Sequence, residues 1–126
     1  MARHVIPFDR LPAGYAESLA QAPERPAWPI PAATLALLRD GAEGLEVLLL
    51  QRAPTATFVP GAWVFPGGRV DRSDADKLLL ARLDGLDTEE AARRLGLAWS
   101  EPPAVAYYLA ALREAFEETG ILVARD

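Results

Sequence analysis

Arg113-Glu114-Ala115-Phe116-Glu117-Glu118-Thr119-Gly120 gathers three carboxylates and one guanidinium into about two helical turns. Residues three or four apart share a helix face, and Glu114, Glu117 and Glu118 satisfy both spacings, so three acidic side chains lie on one strip. Like charges so placed repel by roughly 0.2–0.5 kcal/mol per pair, and anions near a helix C-terminus also oppose its dipole. Arg113 can pair with Glu117 one turn on, but one arginine does not neutralise three glutamates. A bound hard cation removes the conflict. Mg²⁺ or Mn²⁺ prefers carboxylate, carbonyl and water oxygens, and enters a site through a few carboxylates together with substrate phosphates. The alternative is a solvated acidic face with no ligand.

Upstream, Trp63-Val64-Phe65 forms an apolar, strand-like stretch that ends in Pro66-Gly67-Gly68. Two successive glycines allow a close backbone approach that a Cβ would block, so a carbonyl or amide there can reach a ligand. An ordinary loop turn is the competing reading.

These two segments resemble the Nudix hydrolase family. Its box reads G, five residues, E, seven residues, R-E-U-x-E-E-x-G-U, with U apolar. Gly68 leads through five residues to Asp74, and Arg113 to Ile121 match the second half. Asp74 stands where the family has Glu, and 38 residues rather than seven separate it from Arg113, an insertion of 31. The run Leu48-Leu49-Leu50-Gln51-Arg52-Ala53, followed by Gly61 to Gly68, is similar to the coenzyme A pyrophosphatase signature L-L-T-x-R-[SA]-x3-R-x3-G-x3-F-P-G-G. Leu50 replaces its threonine and Thr57 its second arginine, which loses a planar fork suited to phosphate. The split box is most similar to the acyl-CoA diphosphatase-like branch.

The resemblance implies metal-assisted hydrolysis of a diphosphate linkage in a nucleoside diphosphate derivative, with coenzyme A or acyl-CoA as the leading substrate. It implies Glu114, Glu117, Glu118 and the Gly67 carbonyl as ligands of Mg²⁺ or Mn²⁺. Arg113 would orient the glutamates, and Glu114 is a candidate base as well as a ligand. Arg52, Gly68 and Arg69 are the candidate substrate-binding residues, and Asp74 has no settled role. Two rivals stay open: a catalytically silent Nudix-like module that binds a nucleotide or a protein, and a hydrolase of ADP-ribose or dinucleotides.

The family fold is an α/β/α sandwich around a mixed sheet, with further strands and a helix after the box helix. Here six residues follow Gly120, and Ile121-Leu122-Val123 begins a strand without a following partner. The expectation is an incomplete α/β domain, either a shortened form or a homodimer that completes the sheet by exchange.

Composition fits one globular domain: 126 residues, 51% hydrophobic and 25% charged. The absence of cysteine excludes disulfides and thiolate metal sites, and the single histidine, His4, sits in a terminus expected to be flexible. A net charge of −5 with no basic stripe argues against nucleic-acid or anionic-membrane binding. The first residues lack the apolar run of a signal peptide, so the cytoplasm is the expected location.

The elements that must position these groups follow in order. Residues 1–31, with prolines at 23, 26, 29 and 31, predict an extended lead-in in which only Tyr15 to Gln21 can form a short helix; the domain proper spans 32–126. Ala33 to Arg39 and Leu45 to Gln51 predict antiparallel strands around the 40–44 turn, in a sheet covered on both faces. Trp63 is expected to fill a core. The insertion, 75–103, predicts one helical segment over Asp74 to Leu83 and a second over Thr88 to Leu95, with Thr88 as N-cap and Gly96 as stop. Apolar helices without a local core favour a dimer surface over a lid or inert padding. A longer helix runs from Ala104 to Thr119, with Tyr108, Leu112, Ala115 and Thr119 as its apolar stripe.

Overall fold

The computed structural model describes residues 14–21, 28–56, 59–97 and 101–124; His4, Thr57 and the prolines at 23 and 26 fall outside them. Helix α1 spans Tyr15–Ala20. Six short strands follow: β1 Ala32–Thr34, β2 Leu38–Gly41, β3 Gly44–Val47, β4 Leu50–Gln51, β5 Trp63–Val64 and β6 Gly67–Arg69. A 3₁₀ turn, Arg72–Ala75, leads to α2 Lys77–Leu80, α3 Thr88–Leu95 and α4 Ala104–Thr119.

Every strand pairing among the described residues is antiparallel: β1 with β6, β2 with β3, and β4 with β5. The expected hairpin forms only beside its turn, where Leu38 faces Val47 and Gly41 faces Gly44. Each apolar run then changes partner, so Ala32–Thr34 pairs with the glycine strand β6 while Leu50–Gln51 pairs with β5. The backbone between these halves still bonds across, Leu48 N–H donating to the Leu37 carbonyl at 3.0 Å.

A sheet buried on both faces is not what these strands build. Leu45 is 70% exposed and Leu38 58%, because none of the described helices lies over the hairpin. Trp63, expected in a core, is 62% exposed on β5 for the same reason. Ile121 to Val123 form no strand, since no neighbouring strand among the described residues offers them a ladder.

Helix α4 is the organising element. Pro103 precedes its first residue and Gly120 ends it in the left-handed conformation, φ 72°, with its N–H on the Phe116 carbonyl. The face it buries most deeply is made of alanines, Ala106, Ala110, Ala111 and Ala115, with Val105. Tyr108, Leu112 and Thr119 of the expected stripe are only half-buried. Small side chains let the helix lie close to its neighbours, which leaves the bulkier ones at the edge of the contact.

The insertion finds a packing partner within the chain, in α4. Ala91 of α3 is buried against Ala104 and Val105 of α4, and Leu80, Leu83, Leu86 and Leu97 close around them. The first half of α4 thus rests on the insertion, while the helix also packs on β1, β6 and the 3₁₀ turn. The N-cap of α3 is Asp87, one residue before the expected Thr88. Its carboxylate accepts from the Glu90 N–H at 2.8 Å. Asp87→Ala should therefore lower stability by about 1 kcal/mol in urea unfolding, and Thr88→Ala by much less. Arg93 and Arg94 both bond Glu90 and hold its carboxyl below the usual range. No helix among the described residues is long and apolar enough to cross a membrane.

Candidate active site

The antiparallel β1–β6 pair places Gly67 opposite Thr34 and Gly68 opposite Ala33, directly against α4. The Gly67 N–H donates to Glu118 Oε2 at 3.1 Å. A Cβ at Gly68 would lie 2.6 Å from Glu114 Oε2, and one at Gly67 would lie 2.8 Å from the Thr34 Cα. Each glycine therefore has a separate use: Gly67 lets two strands approach, and Gly68 makes room for a glutamate. Gly68→Ala meets only the far end of a flexible side chain, so Glu114 swings aside. We expect roughly tenfold loss of hydrolytic rate with less than about 1 kcal/mol of stability lost, read by steady-state kinetics beside thermal melting.

Arg113 is the hub of the site. Its Nε and Nη2 grip Asp74 Oδ1 and Oδ2 at 2.9 and 3.1 Å, a bidentate pair. Nη1 donates to Glu114 Oε1 and to Glu117 Oε2, both at 3.0 Å, and Nη2 also reaches the Arg69 carbonyl at 3.0 Å. Asp74 is 1% exposed and additionally accepts the Asp71 N–H at 2.7 Å. The carboxylates of Asp74, first, and of Glu114 raise the Arg113 pKa further above its already high range, against the opposing effect of burial. The linkage is one-sided: a raised folded pKa stabilises at every pH below the ordinary arginine range, so the guanidinium stays charged wherever the domain works.

Asp74, the residue whose role the sequence left unsettled, is thus the anchor of Arg113 across 39 positions of chain. The insertion loops out between them without separating them. The signal was available: Asp71 and Asp74 have the spacing of a capping box, which fixes Asp74 at the first turn of a short helix. The Arg69 carbonyl as an acceptor for Arg113 carried no sequence signal, because a backbone contact depends on register alone.

Glu114, Glu117 and Glu118 meet the glycine strand through different partners. Glu114 is half-buried beside Gly68, Glu118 is exposed and tied to Gly67, and Glu117, also exposed, is drawn to Arg113. Arg52 belongs to the β4–β5 pair rather than to the glycine strand, its N–H donating to the Ala62 carbonyl at 2.9 Å. The Arg69 side chain is exposed, and strand alternation directs it away from the face that Gly68 turns toward Glu114.

The donor chemistry fits a hard divalent cation: carboxylate oxygens beside a backbone glycine pair, in a chain without cysteine. The arrangement differs from the expected clasp, since no three acidic side chains among the described residues are grouped to hold a metal ion. Protein donors, Arg113 and the Gly67 N–H, occupy oxygens that a cation would share.

Compared with known proteins, the chain is 38% identical to the human acyl-coenzyme A diphosphatase NUDT19 over 67% of its own length and 28% of the relative's. It is 35% identical to the chicken (Gallus gallus) protein of the same name, over 62% and 25%. A crystal structure of a NUDIX hydrolase from Alicyclobacillus acidocaldarius superposes with a TM-score of 0.55 at 38% identity, covering 77% of this chain and 40% of that one. The chain spans about a quarter of the length of the curated relatives it matches. The family model of the NUDT19 Nudix domain matches residues 19–126, so the chain belongs to the acyl-CoA diphosphatase-like branch of the Nudix hydrolases.

Proposed function

We propose that this domain hydrolyses the diphosphate linkage of coenzyme A or an acyl-coenzyme A with the help of Mg²⁺ or Mn²⁺. The observation that carries the reading is the Asp74–Arg113–Glu114/Glu117 network facing Gly67 and Gly68. The names of the NUDT19 relatives support the choice of substrate.

Glu114, Glu117 and Glu118 would hold the cation. When bound, it would neutralise diphosphate oxygens and make water a better nucleophile near neutral pH. The chain's own groups do the rest. Arg113, fixed by Asp74, keeps Glu114 and Glu117 in one orientation, which saves their ordering during the reaction. Glu114 Oε2, the oxygen that Arg113 does not bond, is the candidate proton acceptor for the attacking water. Water adds to one phosphorus, and the bond from that phosphorus to the bridging oxygen breaks. The bridging oxygen leaves with the second phosphate and gains a proton. For coenzyme A the products are the adenosine bisphosphate and phosphopantetheine halves.

The rival reading, a silent module that binds a nucleotide, draws on one observation: Arg113 and the Gly67 N–H already engage the carboxylates. A panel of coenzyme A, acyl-CoAs, ADP-ribose and dinucleotides, assayed with Mg²⁺ and with Mn²⁺, separates the two. Metal-dependent release of two monophosphates, fastest for the coenzyme A compounds and abolished by EDTA, is the expected result. No turnover of any member, by this chain or a longer form of it, would leave the binding module as the better reading.

A further inference from the structure

Ile121 lies three residues past Glu118, just beyond the Gly120 stop of α4, and forms one wall of a cleft of about 320 Å³. Leu37 and Leu48 are half-buried in the cleft lining, and Leu38 and Val47, directly opposite each other on the hairpin, are exposed along it. The charges at the cleft, Arg39 and Glu46, neutralise each other in an ion pair of 2.6 Å. Among the described residues no aromatic ring lines the cleft, and neither charge is left over for a phosphate or a carboxylate. Such a lining suits a neutral, flexible aliphatic chain and offers a nucleobase nothing to stack on.

Position relates the cleft to the acidic strip. Three trans peptide steps put the Ile121 Cα within about 11 Å of the Glu118 Cα. Thr34, opposite Gly67 on β1, is likewise only three residues from Leu37 at the other wall. Both sides of the cleft are thus continuous in chain with the two halves of the site. In an acyl-coenzyme A the diphosphate is joined to the thioester by a pantetheine arm several peptide units long, enough to cover that separation. We infer that this cleft receives the acyl end of a substrate whose diphosphate lies against Glu114 to Glu118. The inference rests on the proposed acyl-coenzyme A reading and adds a site for the part of the substrate that does not react.

The test compares octanoyl-, acetyl- and free coenzyme A in kcat/KM for the wild-type chain, Val47→Lys and Leu38→Lys. Both positions are exposed, so a lysine there is compatible with folding, and Leu78→Lys, exposed on α2, serves as the distant control. The wild type should favour octanoyl- over acetyl-coenzyme A by about tenfold, as burial of a few methylenes predicts. Each cleft variant should erase that ratio, and the control should keep it. A wild type indifferent to chain length overturns the proposal. So does a preference that survives both cleft variants, and if those variants instead cripple folding of a longer form, a protein segment covers the cleft. Titration calorimetry with S-octanoylpantetheine, which has no diphosphate and needs no metal, separates this idea from the function reading. Binding weakened about tenfold by Val47→Lys upholds the cleft even where no diphosphate is cleaved. Absent binding to the wild type rejects it even where hydrolysis is seen.

Discussion

Glu117→Gln should lower metal-dependent hydrolysis by about a hundredfold or more and leave the melting temperature within about 2 °C of wild type. The two halves of this expectation have separate causes. Glu117 is exposed, and its only bond among the described residues runs from Arg113 Nη1 to one carboxylate oxygen. A glutamine keeps an oxygen in that place, so Arg113 retains its acceptor and the helix its packing, and exposed pairs of this kind contribute little to stability. What disappears is a negative charge at the proposed cation site. Several kcal/mol of charge stabilisation at a diphosphate depends on such a group, and each 1.36 kcal/mol of barrier is a factor of ten. Calorimetric titration with Mn²⁺ should show affinity falling about tenfold in the same variant, a readout independent of turnover. Full activity in Glu117→Gln with unchanged Mn²⁺ affinity would mean that this carboxylate serves the fold alone.

How much of this site is legible in the sequence depends on whether local chemistry or register decides it. Helix α4 is legible to the residue because its limits are local: Pro102-Pro103 resets the chain and Gly120 supplies the left-handed stop. The strip of glutamates follows from helix geometry alone. The strands are legible as apolar runs but not as pairings, since the run from Ala33 to Arg39 supplies most of β1 and the start of β2, which join different partners. Period-two patterning cannot specify which strand comes alongside. The N-cap was displaced by one residue because Asp87 and Thr88 are both good caps, and only the backbone decides between them. The insertion's core was missed for a different reason: Leu80, Leu83, Leu86 and Leu97 look unpartnered until α4 is seen to offer Val105 and Tyr108 to them. Resemblance to the Nudix box brought Asp74 and Arg113 into one motif, but spacing alone, with 38 residues between them, gave no reason for contact.

Asp74→Ala is the substitution that should damage folding most among the site residues. Its carboxylate is buried, and it satisfies three donors: two from Arg113 and the Asp71 N–H. Truncation leaves the Arg113 guanidinium, itself largely covered, facing an empty space with only Glu114 and Glu117 to compensate it. Breaking a buried pair from one side costs about 3–5 kcal/mol, and the part of Arg113 that reaches solvent moves the expectation to about 3 kcal/mol. For a chain of this size that is a fall of about 10 °C in Tm. Removing both partners, in Asp74→Ala with Arg113→Met, should cost less than the sum of the two single changes, because no charge is then left unpaired. A double-mutant cycle in urea reads this coupling directly. Activity should fall as well, since Glu114 and Glu117 lose the group that orients them, and in the double variant it should stay lost while stability partly returns. That divergence assigns Asp74 to positioning the site in addition to holding the fold. Strict additivity of the single losses would show that the carboxylate and the guanidinium act independently, and the account of Arg113 as the hub would fail.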